Sequence, residues 1–415
     1  MTGLSTAAMQ VMARCRELAL VTDVPGGTTR IFLSPAMRRA NQTVAAWMQA
    51  AGLMPSMDAA GNLRGVLRST AKDAKTFVLA SHLDTVPNAG AFDGVLGVLL
   101  ALAVVEQLRG EALPFHAEVI AFSEEEGVRF GVPFIGSRAL VGTLDAALLD
   151  QRDADGISVR NAMRAYSLDE TQLPQAVLRD TLGYLEFHVE QGPELESEGL
   201  PLGVVECIAG QTRYTLTFTG EANHAGTTPM RLRHDAMAAA AEWMVEVERY
   251  AAATATLVAT CGAVRALPGA SNVIAGEVAV SLDVRSPNDL ARQDAVAHLL
   301  QAAQGRGAKR GVTVQATCSM EQAAVPLDRR LLIALEDAVD SVGAPIRRMT
   351  SGAGHDAMIV APHMPAAMLF LRTPRGLSHH PDESVLPGDV ELALGAGAAF
   401  VRSLAAAHAG DGATV

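Results

Sequence analysis

The sequence predicts an α/β fold with a mixed or parallel sheet that is interrupted by an inserted α+β domain. Up to about residue 212, and again from Leu327 onward, short apolar runs alternate with helical patterns. This alternation is typical of a sheet covered by helices. Between these regions, "YTLTFTG" at 214–220 alternates apolar and polar residues, which indicates a sheet with one buried face.

The sequence of the inserted region predicts a separate order of strands and helices. A helical stretch at 231–250 follows the first strand, and two strand-like runs, "ATLVATCGAV" and "EVAVSLDVRS", come next. A helix at 289–304 and the run "VTVQATCSM" complete a β-α-β-β-α-β order, which is the ferredoxin-like pattern. We therefore predict one discontinuous domain over 1–212 and 326–415, and one inserted domain over 213–325.

Composition excludes several classes of protein. A chain of 415 residues is too long for one compact core, and its 49% of hydrophobic residues indicates a folded protein. A net charge of -12 without a basic stripe argues against nucleic acid or an anionic membrane as partner. The N-terminus does not resemble a signal peptide, and the longest apolar run, "VLGVLLALAVV", is too short to span a bilayer. The four cysteines lie far apart without a CxxC pair, so we expect a cytoplasmic protein.

Residue types that bind metal ions follow four of the apolar runs. Because ligands bind at the carboxyl ends of strands in α/β sheets, we expect these side chains to meet in one crevice. Imidazoles combined with carboxylates suit zinc or manganese. The residues concerned are His82, Asp84 and Asp93 after the first run, Glu124–Glu126 after the second, His188 in the third, and His379 and His380 after the fourth.

Each of these elements has a simpler interpretation. A single His or Asp after a strand is usually a cap or turn residue, and "EEE" or "HH" alone is usually a solvated surface. An acid/base pair would also explain His82 with its two aspartates. The joint occurrence at four strand ends favours the metal site, and the chain has no GxSxG motif and no phosphate-binding loop.

Several longer motifs carry a family resemblance. They are "SHLDTVPNAGAFDG", "EEEGVRF", "HVEQGP", "GEANHAGTTPM", "SNVIAGEVAVSLDVRSP", "SGAGHDA" and "GLSHHP". Together they resemble the hydantoinase/carbamoylase-type amidases, which include N-carbamoyl-L-amino-acid hydrolases, allantoate amidohydrolases and β-ureidopropionases. This group lies within the aminoacylase/carboxypeptidase-like metallopeptidase superfamily. The motifs span residues 81 to about 385, which is most of the chain.

The resemblance implies two divalent ions per subunit, which are zinc, manganese or cobalt. Asp93 would bridge them, and the implied ligands are His82, Asp93, Glu126, His188 and His379, with His380 as the alternative to His379. Asp84 would accept the distal N–H of His82, and Glu125 would be the general base. A cis peptide bond between Asp93 and Gly94 is a further expectation.

The resemblance also implies roles for residues around the substrate and in the inserted domain. This domain would serve as a dimerisation or lid domain, and His224 would stabilise an oxyanion across the interface of a homodimer. Arg285 and Asn272 would bind the substrate carboxylate. The resemblance gives four further candidates for substrate binding, which are Gln191, Gln211, Gly354 and His355.

The function expected from these residues is hydrolysis of the ureido C–N bond of an N-carbamoyl-L-amino acid or of allantoate. An aminoacylase or dipeptidase with the same site is the alternative. The histidine in "HVEQGP", where peptidase relatives more often have an acid, favours the ureido substrate. A metal-free binding homologue is the non-enzyme alternative, and such a protein should have lost one or more ligands.

Overall fold

The structure is a computed structural model that describes residues 5–411. It divides into two compact units. The first contains the residues up to Glu206 and those from Leu327 onward, and the second is Cys207–Pro326. The second unit therefore begins six positions before residue 213, the predicted start of the inserted domain, and includes Gln211.

Strands form two sheets, one in each unit. In chain order they are β1 (Met54–Met57), β2 (Leu63–Leu67), β3 (Thr76–His82), β4 (His116–Phe122), β5 (Thr181–Val189), β6 (Leu202–Ile208), β7 (Gly210–Thr219), β8 (Val258–Thr260), β9 (Val264–Leu267), β10 (Glu277–Ser286), β11 (Thr313–Gln322), β12 (Val325–Pro326), β13 (Arg348–Ser351) and β14 (Ala366–Leu371).

Helices connect most of these strands. In chain order they are α1 (Thr6–Ala19), α2 (Pro35–Ala50), α3 (Val95–Gln107), α4 (Ile135–Val141), α5 (Ala146–Leu149), α6 (Val159–Ala165), α7 (Leu173–Ala176), α8 (Glu194–Glu198), α9 (Ala236–Ala252), α10 (Asp289–Arg310), α11 (Arg329–Ser341), α12 (Asp356–Val360) and α13 (Pro387–Asp411). Short 3₁₀ turns lie at Glu170–Gln172, Met230–Leu232 and Pro374–Gly376.

The sheet of the first unit is mixed. Its strands lie in the order β1-β2-β4-β3-β5-β14-β6, and β13 also pairs with β6. The four central strands β4, β3, β5 and β14 are parallel, whereas β1, β2 and β6 pair antiparallel with their neighbours. The prediction of an α/β fold with a mixed sheet is confirmed. Parallel order brings the carboxyl ends of the central strands to one edge.

Burial on both faces explains the sequence of these strands. The last six residues of both β3 and β4 are buried, and all of them except Ser81, His82 and Glu118 are apolar. Helix α3 is apolar on all sides because every residue from Val95 to Val105 is buried. The site described below therefore lies at the edge of a rigid, closely packed layer.

Helix α13 is long and apolar enough, by length and composition, to cross a membrane. Its buried residues belong to the same core as α3, and the ring centroid of Phe400 lies 5.8 Å from that of Phe77 on β3. Core helices of this kind pass the same test of length and composition, so we interpret α13 as a core helix.

The second unit has an antiparallel sheet in the order β11-β7-β10-β8, with β9 also paired to β10. Strand β10 alternates strictly, with Val278, Val280, Leu282 and Val284 buried. Helices α9 and α10 share a core with these residues, and the Trp243 indole N–H donates to the Leu299 carbonyl oxygen over 2.8 Å. The run at 255–264, which was expected to form one strand, contains only the short strand β8 and the first residue of β9.

Candidate metal centre

Two imidazoles meet at the ends of adjacent strands. His82 is the last residue of β3, and His188 lies near the end of β5, which is parallel to β3. Their Nε2 atoms are 3.3 Å apart, and the side chains are 1% and 2% exposed. Strands β3 and β5 are largely apolar on both faces. Each of them nevertheless places one imidazole at the same edge of the sheet.

The hydrogen bonds of these rings define where their lone pairs point. His82 Nδ1 lies 3.1 Å from the Asp84 carbonyl oxygen, and His188 Nδ1 lies 2.9 Å from the Val189 carbonyl oxygen. A carbonyl oxygen only accepts, so each Nδ1 carries the hydrogen and each neutral ring presents an Nε2 lone pair. The two lone pairs face one another, and a cation between them would satisfy both.

Asp93 supplies the next donor atoms. Its Oδ1 lies 3.2 Å from His188 Nε2 and 3.7 Å from His82 Nε2, and it makes no well-oriented hydrogen bond among the described residues. Its Oδ2 lies 3.2 Å from His379 Nε2, which in turn lies 3.7 Å from Glu126 Oε2. The carboxylate therefore has one oxygen in each of two donor groups.

Three sets of residues could hold a metal ion, since the donor atoms within each set all lie within 4.8 Å of one another. The sets are His82, Asp93 and His188; His82, Glu125 and Glu126; and Asp93, Glu126 and His379. Nitrogen and carboxylate oxygen donors in this mixture fit zinc or manganese. The buried, unpaired Asp93 Oδ1 and the facing Nε2 atoms show that the residues present fit a divalent cation.

The backbone after Asp93 turns sharply at Gly94, where φ is +65°. A Cβ at this position would lie 2.3 Å from His82 Cε1, so the loop can approach the imidazole only with glycine. The Asp93–Gly94 peptide bond is trans, because Leu267–Pro268 is the single cis bond within residues 5–411. The expectation of a cis bond is wrong, and the positive φ makes the turn instead.

Asp84 connects the β3 end with the β4 end. Its carboxylate lies 3.4 Å from His82 Nδ1, but the hydrogen bond from that atom goes to the Asp84 main-chain oxygen. The carboxylate instead accepts the main-chain N–H groups of Glu125 and Glu126, each at 3.0 Å. Asp84 thereby fixes the start of the loop that carries both glutamates.

Excess negative charge characterises the centre. Burial, together with neighbouring carboxylates, raises the pKa of Glu125 well above its usual range and raises that of Glu126 to about 7. Burial would also raise the pKa of Asp93, but contacts with His188 and His379 hold it well below its ordinary value. A divalent cation would stabilise all three carboxylates in their ionised form.

The adjacent histidines of "GLSHHP" differ in their contacts. His379 is half exposed and reaches both Asp93 and Glu126 through Nε2. His380 Nδ1 accepts the Asp382 main-chain N–H over 3.1 Å and lies 3.9 Å from the Asp382 carboxylate. Of the two, His379 is the one that the structure brings to the candidate ligands.

Gln191 and His355, two of the candidates for substrate binding, contact the proposed ligands themselves. The Gln191 side-chain amide donates to Asp93 Oδ2 over 2.8 Å. His355 is buried, its Nε2 lies 2.8 Å from the Ser351 hydroxyl, and its ring packs edge-on against His188 with centroids 4.4 Å apart. Gly354 precedes it, and a Cβ there would lie 2.9 Å from the Phe134 ring.

The remaining candidates lie in the second unit as two pairs. His224 forms an isolated bridge with Val273, and the Ala225 N–H donates to the Asn272 carbonyl oxygen over 2.9 Å. Gln211 on β7 lies opposite Arg285 on β10. The unit thus brings His224 close to Asn272, and Gln211 close to Arg285.

Sequence reasoning missed several residues of the centre. Ser378 donates to Asp93 Oδ2 over 2.9 Å, and Glu383 accepts the Asp93 main-chain N–H. Two further acids, Glu186 and Asp356, are completely buried, and burial raises the pKa of each. A glutamate two residues before His188 in an otherwise apolar strand was an available signal for Glu186, since i and i+2 share a face.

Comparison with protein families identifies the family of this chain. The family model for peptidase family M20/M25/M40 matches residues 78–406, which include every candidate metal ligand. The chain belongs to the M20/M25/M40 family.

Relatives place this M20 chain near one branch of the family. It is 41% identical to the N-carbamoyl-L-amino acid amidohydrolase of Geobacillus stearothermophilus over 375 residues, 89% of this chain and 92% of the relative. It is 36% identical to allantoate deiminase 1 of Glycine max over 430 residues, covering 95% and 89% of the two chains.

A solved structure extends the likeness to the fold. The hydantoinase/carbamoylase family amidase from Burkholderia multivorans superposes with a TM-score of 0.91 at 29% identity, over 97% of this M20 chain and 98% of that chain. The resemblance to the hydantoinase/carbamoylase-type amidases is confirmed.

The adjacent histidines allow a matched test of the metal ligands. We expect His379→Ala to weaken Zn²⁺ binding by more than about tenfold. Mutation of residues that only hydrogen-bond to a metal ligand already lowers metal affinity by about 10–100-fold. His380→Ala is the control, and should bind Zn²⁺ as the wild type does. Equilibrium dialysis of the two variants measures this difference. Equal losses in both, or a loss in His380→Ala alone, would contradict the assignment.

Proposed function

We propose that the protein is a metal-dependent amidohydrolase that cleaves the ureido C–N bond of a small N-carbamoyl-L-amino acid or of allantoate. The observation that carries the proposal is the convergence of His82, Asp93 and His188 donor atoms beside Glu125. The relatives of this chain are named for these substrates, which supports the substrate class. Two divalent ions, one on each side of Asp93, are part of the proposal.

Ions bound by these residues would polarise the ureido carbonyl and make a water molecule more acidic. Glu125 would hold the proton that the attacking water loses and transfer it to the leaving nitrogen. Its position suits this role because Asp84 anchors its main-chain N–H, while no hydrogen bond of its carboxylate competes among those described. The products are the amino compound, ammonia and carbon dioxide.

The central test is ammonia release from allantoate and from a panel of N-carbamoyl-L-amino acids, with zinc, manganese or cobalt supplied. Chelation should abolish release, and a divalent ion should restore it. We expect Glu125→Gln to retain bound metal but lose about 100-fold or more in kcat, the lower range of general acid–base catalysis. Glu336→Gln, which alters a glutamate paired with Arg348, is the matched control and should stay active. Full activity of chelated protein would rule out the proposal.

Recognition of the substrate carboxylate is proposed for Arg285 with Asn272. Asp283 orients the guanidinium, because Arg285 Nε donates to Oδ1 over 2.8 Å and Nη2 donates to Oδ2 over 3.0 Å. A guanidinium can bind a carboxylate through two parallel hydrogen bonds, which a lysine ammonium does not reproduce.

Arg285→Lys should lower kcat/KM for carboxylate substrates by about ten- to 150-fold, since a hydrogen bond to a charged group contributes about 1.5–3 kcal/mol. An analogue with its carboxylate capped as an amide should be a poor substrate already and lose little more. Arg213→Lys is the control, because Arg213 also pairs with Asp283, at 2.7 Å. If Arg285→Lys reduces both substrates equally, Arg285 is structural.

We also propose that the second unit forms a homodimer interface through which His224 reaches the partner's centre to stabilise the oxyanion. His224 supports this role because it is exposed, with its Nδ1 held by the Gly226 N–H at 3.1 Å. Its other ring nitrogen is then the one that can donate to an oxyanion.

Subunit mixing tests this arrangement. His224→Ala and Glu125→Gln chains should each be nearly inactive alone. After subunit exchange, a mixed dimer would contain one centre with both residues intact, so about a quarter of the activity per chain should return at equal mixing. Sedimentation should show dimers in all three samples. No recovery in a mixture that does exchange subunits would contradict the role of His224 across the interface.

A cytoplasmic location is proposed from cysteine usage. Among the cysteines, Cys15, Cys261 and Cys318 form no disulfide. Such usage is typical of a reducing compartment. Fractionation of the source cells would contradict the location if the protein appeared outside the cytoplasm.

A further inference from the structure

Glu383 is a buried carboxylate outside the ligand sets described above. The residue is only 5% exposed, and its Oε1 accepts the main-chain N–H groups of both Phe92 and Asp93, each over 2.8 Å. One oxygen thus holds two consecutive amides of the loop that carries Asp93. The residue is remote in sequence from that loop and follows the "GLSHHPD" segment.

The second oxygen of Glu383 is connected to the Asp93 side chain by the Ser378 hydroxyl, which lies close to both carboxylates. The Ser378 hydroxyl lies 2.9 Å from Asp93 Oδ2 and 3.3 Å from Glu383 Oε2. Ser378 directly precedes His379, which lies 3.2 Å from the same Asp93 oxygen. Glu383 is therefore in contact with the loop of Asp93 and with the segment of His379 at once.

The loop around Asp93 is shaped to fit this glutamate. A Cβ at Gly90 would lie 2.4 Å from Glu383 Cβ and 2.9 Å from Glu383 Oε1, so only glycine permits the contact. Burial and the charge of Asp93 raise the pKa of Glu383 to about 7. The main-chain N–H groups of Phe92 and Asp93 offset part of the cost of burying this carboxylate.

We propose that Glu383 is a positioning residue that fixes the main chain of Asp93 and, through Ser378, the orientation of its carboxylate. Its function is to keep Oδ1 directed at His82 and His188 while Oδ2 faces His379. The proposal rests on the proposed function in one respect only, the binding of divalent ions at Asp93. It assigns Glu383 no contact with substrate or with reacting atoms.

The test measures Co²⁺ binding alone, by titration of the metal-free full-length chain and by the visible absorption of bound Co²⁺. Glu383→Ala removes both acceptor oxygens and should weaken Co²⁺ binding by about 10–100-fold, the usual effect of losing a residue that orients a ligand. The visible spectrum should change because the Asp93 geometry relaxes. Glu383→Gln keeps one acceptor oxygen for the two amides, so it should rescue most of the affinity.

A structural control separates positioning from general loss of stability. Asp328 Oδ1 also accepts two consecutive main-chain N–H groups, those of Arg330 and Leu331 at 2.9 and 3.0 Å, and contacts no candidate ligand. Asp328→Ala removes this helix cap and should lower the melting temperature by a few degrees. Its Co²⁺ affinity and spectrum should equal those of the wild type.

Three results would overturn the proposal. They are wild-type affinity in folded Glu383→Ala, equal losses in Glu383→Ala and Glu383→Gln, and a loss in Asp328→Ala as large as in Glu383→Ala. If Glu383→Ala does not fold, Glu383→Asp decides, because its shortened side chain keeps the charge but withdraws from the two amides. It should weaken Co²⁺ binding, and unchanged affinity would refute the proposal.

Failure of the proposed function has a different signature. Wild-type protein that binds Co²⁺ but releases no ammonia from any ureido substrate would refute the function and leave the positioning role intact. Active wild type with normal Co²⁺ affinity in Glu383→Ala would refute the positioning role and leave the function intact.

Discussion

The Asp93 carboxylate, placed among three imidazoles in a largely buried crevice, is the constraint on which the centre depends. Its oxygens lie 3.2 Å from His188 Nε2 and from His379 Nε2, and the two strand-end histidines face each other at 3.3 Å. Acceptor atoms this close, with several buried carboxylates around them, are stable together only with positive charge between them. The parallel strand order supplies this convergence, since β4, β3 and β5 are neighbours that end at one edge.

Much of the fold follows from local sequence patterns. Runs that are apolar on both faces mark β3, β4, β5 and β14, and strict alternation marks β10. The points at which a helix or strand ends inside such a pattern are harder to predict from the sequence. Helices α4 and α5 are separate, because Gly142 adopts a φ of 77° and ends the first of them. Short edge strands such as β8 and β9 depend on their partner β10, which a local pattern does not contain.

The candidate site shows a similar division. His82 and His188 could be predicted from the sequence, because both are metal-binding residue types at the ends of strands. The parallel pairing of β3 and β5 brings these strand ends together. Glu383 and Ser378 were not, since their contacts with the Asp93 loop bridge about 290 positions and follow no periodicity. The Asp84 carboxylate was expected at His82, yet main-chain N–H groups of the neighbouring loop offer it better-directed hydrogen bonds.

The central claim is that Asp93 lies between two divalent ions. Anomalous diffraction from crystals grown with Zn²⁺, recorded on both sides of the zinc absorption edge, tests it most directly. Two anomalous peaks should lie on either side of the Asp93 carboxylate, one next to His82 and His188 and the other next to Glu126 and His379. The absence of a peak beside Asp93, or zinc bound only elsewhere on the chain, would contradict the claim.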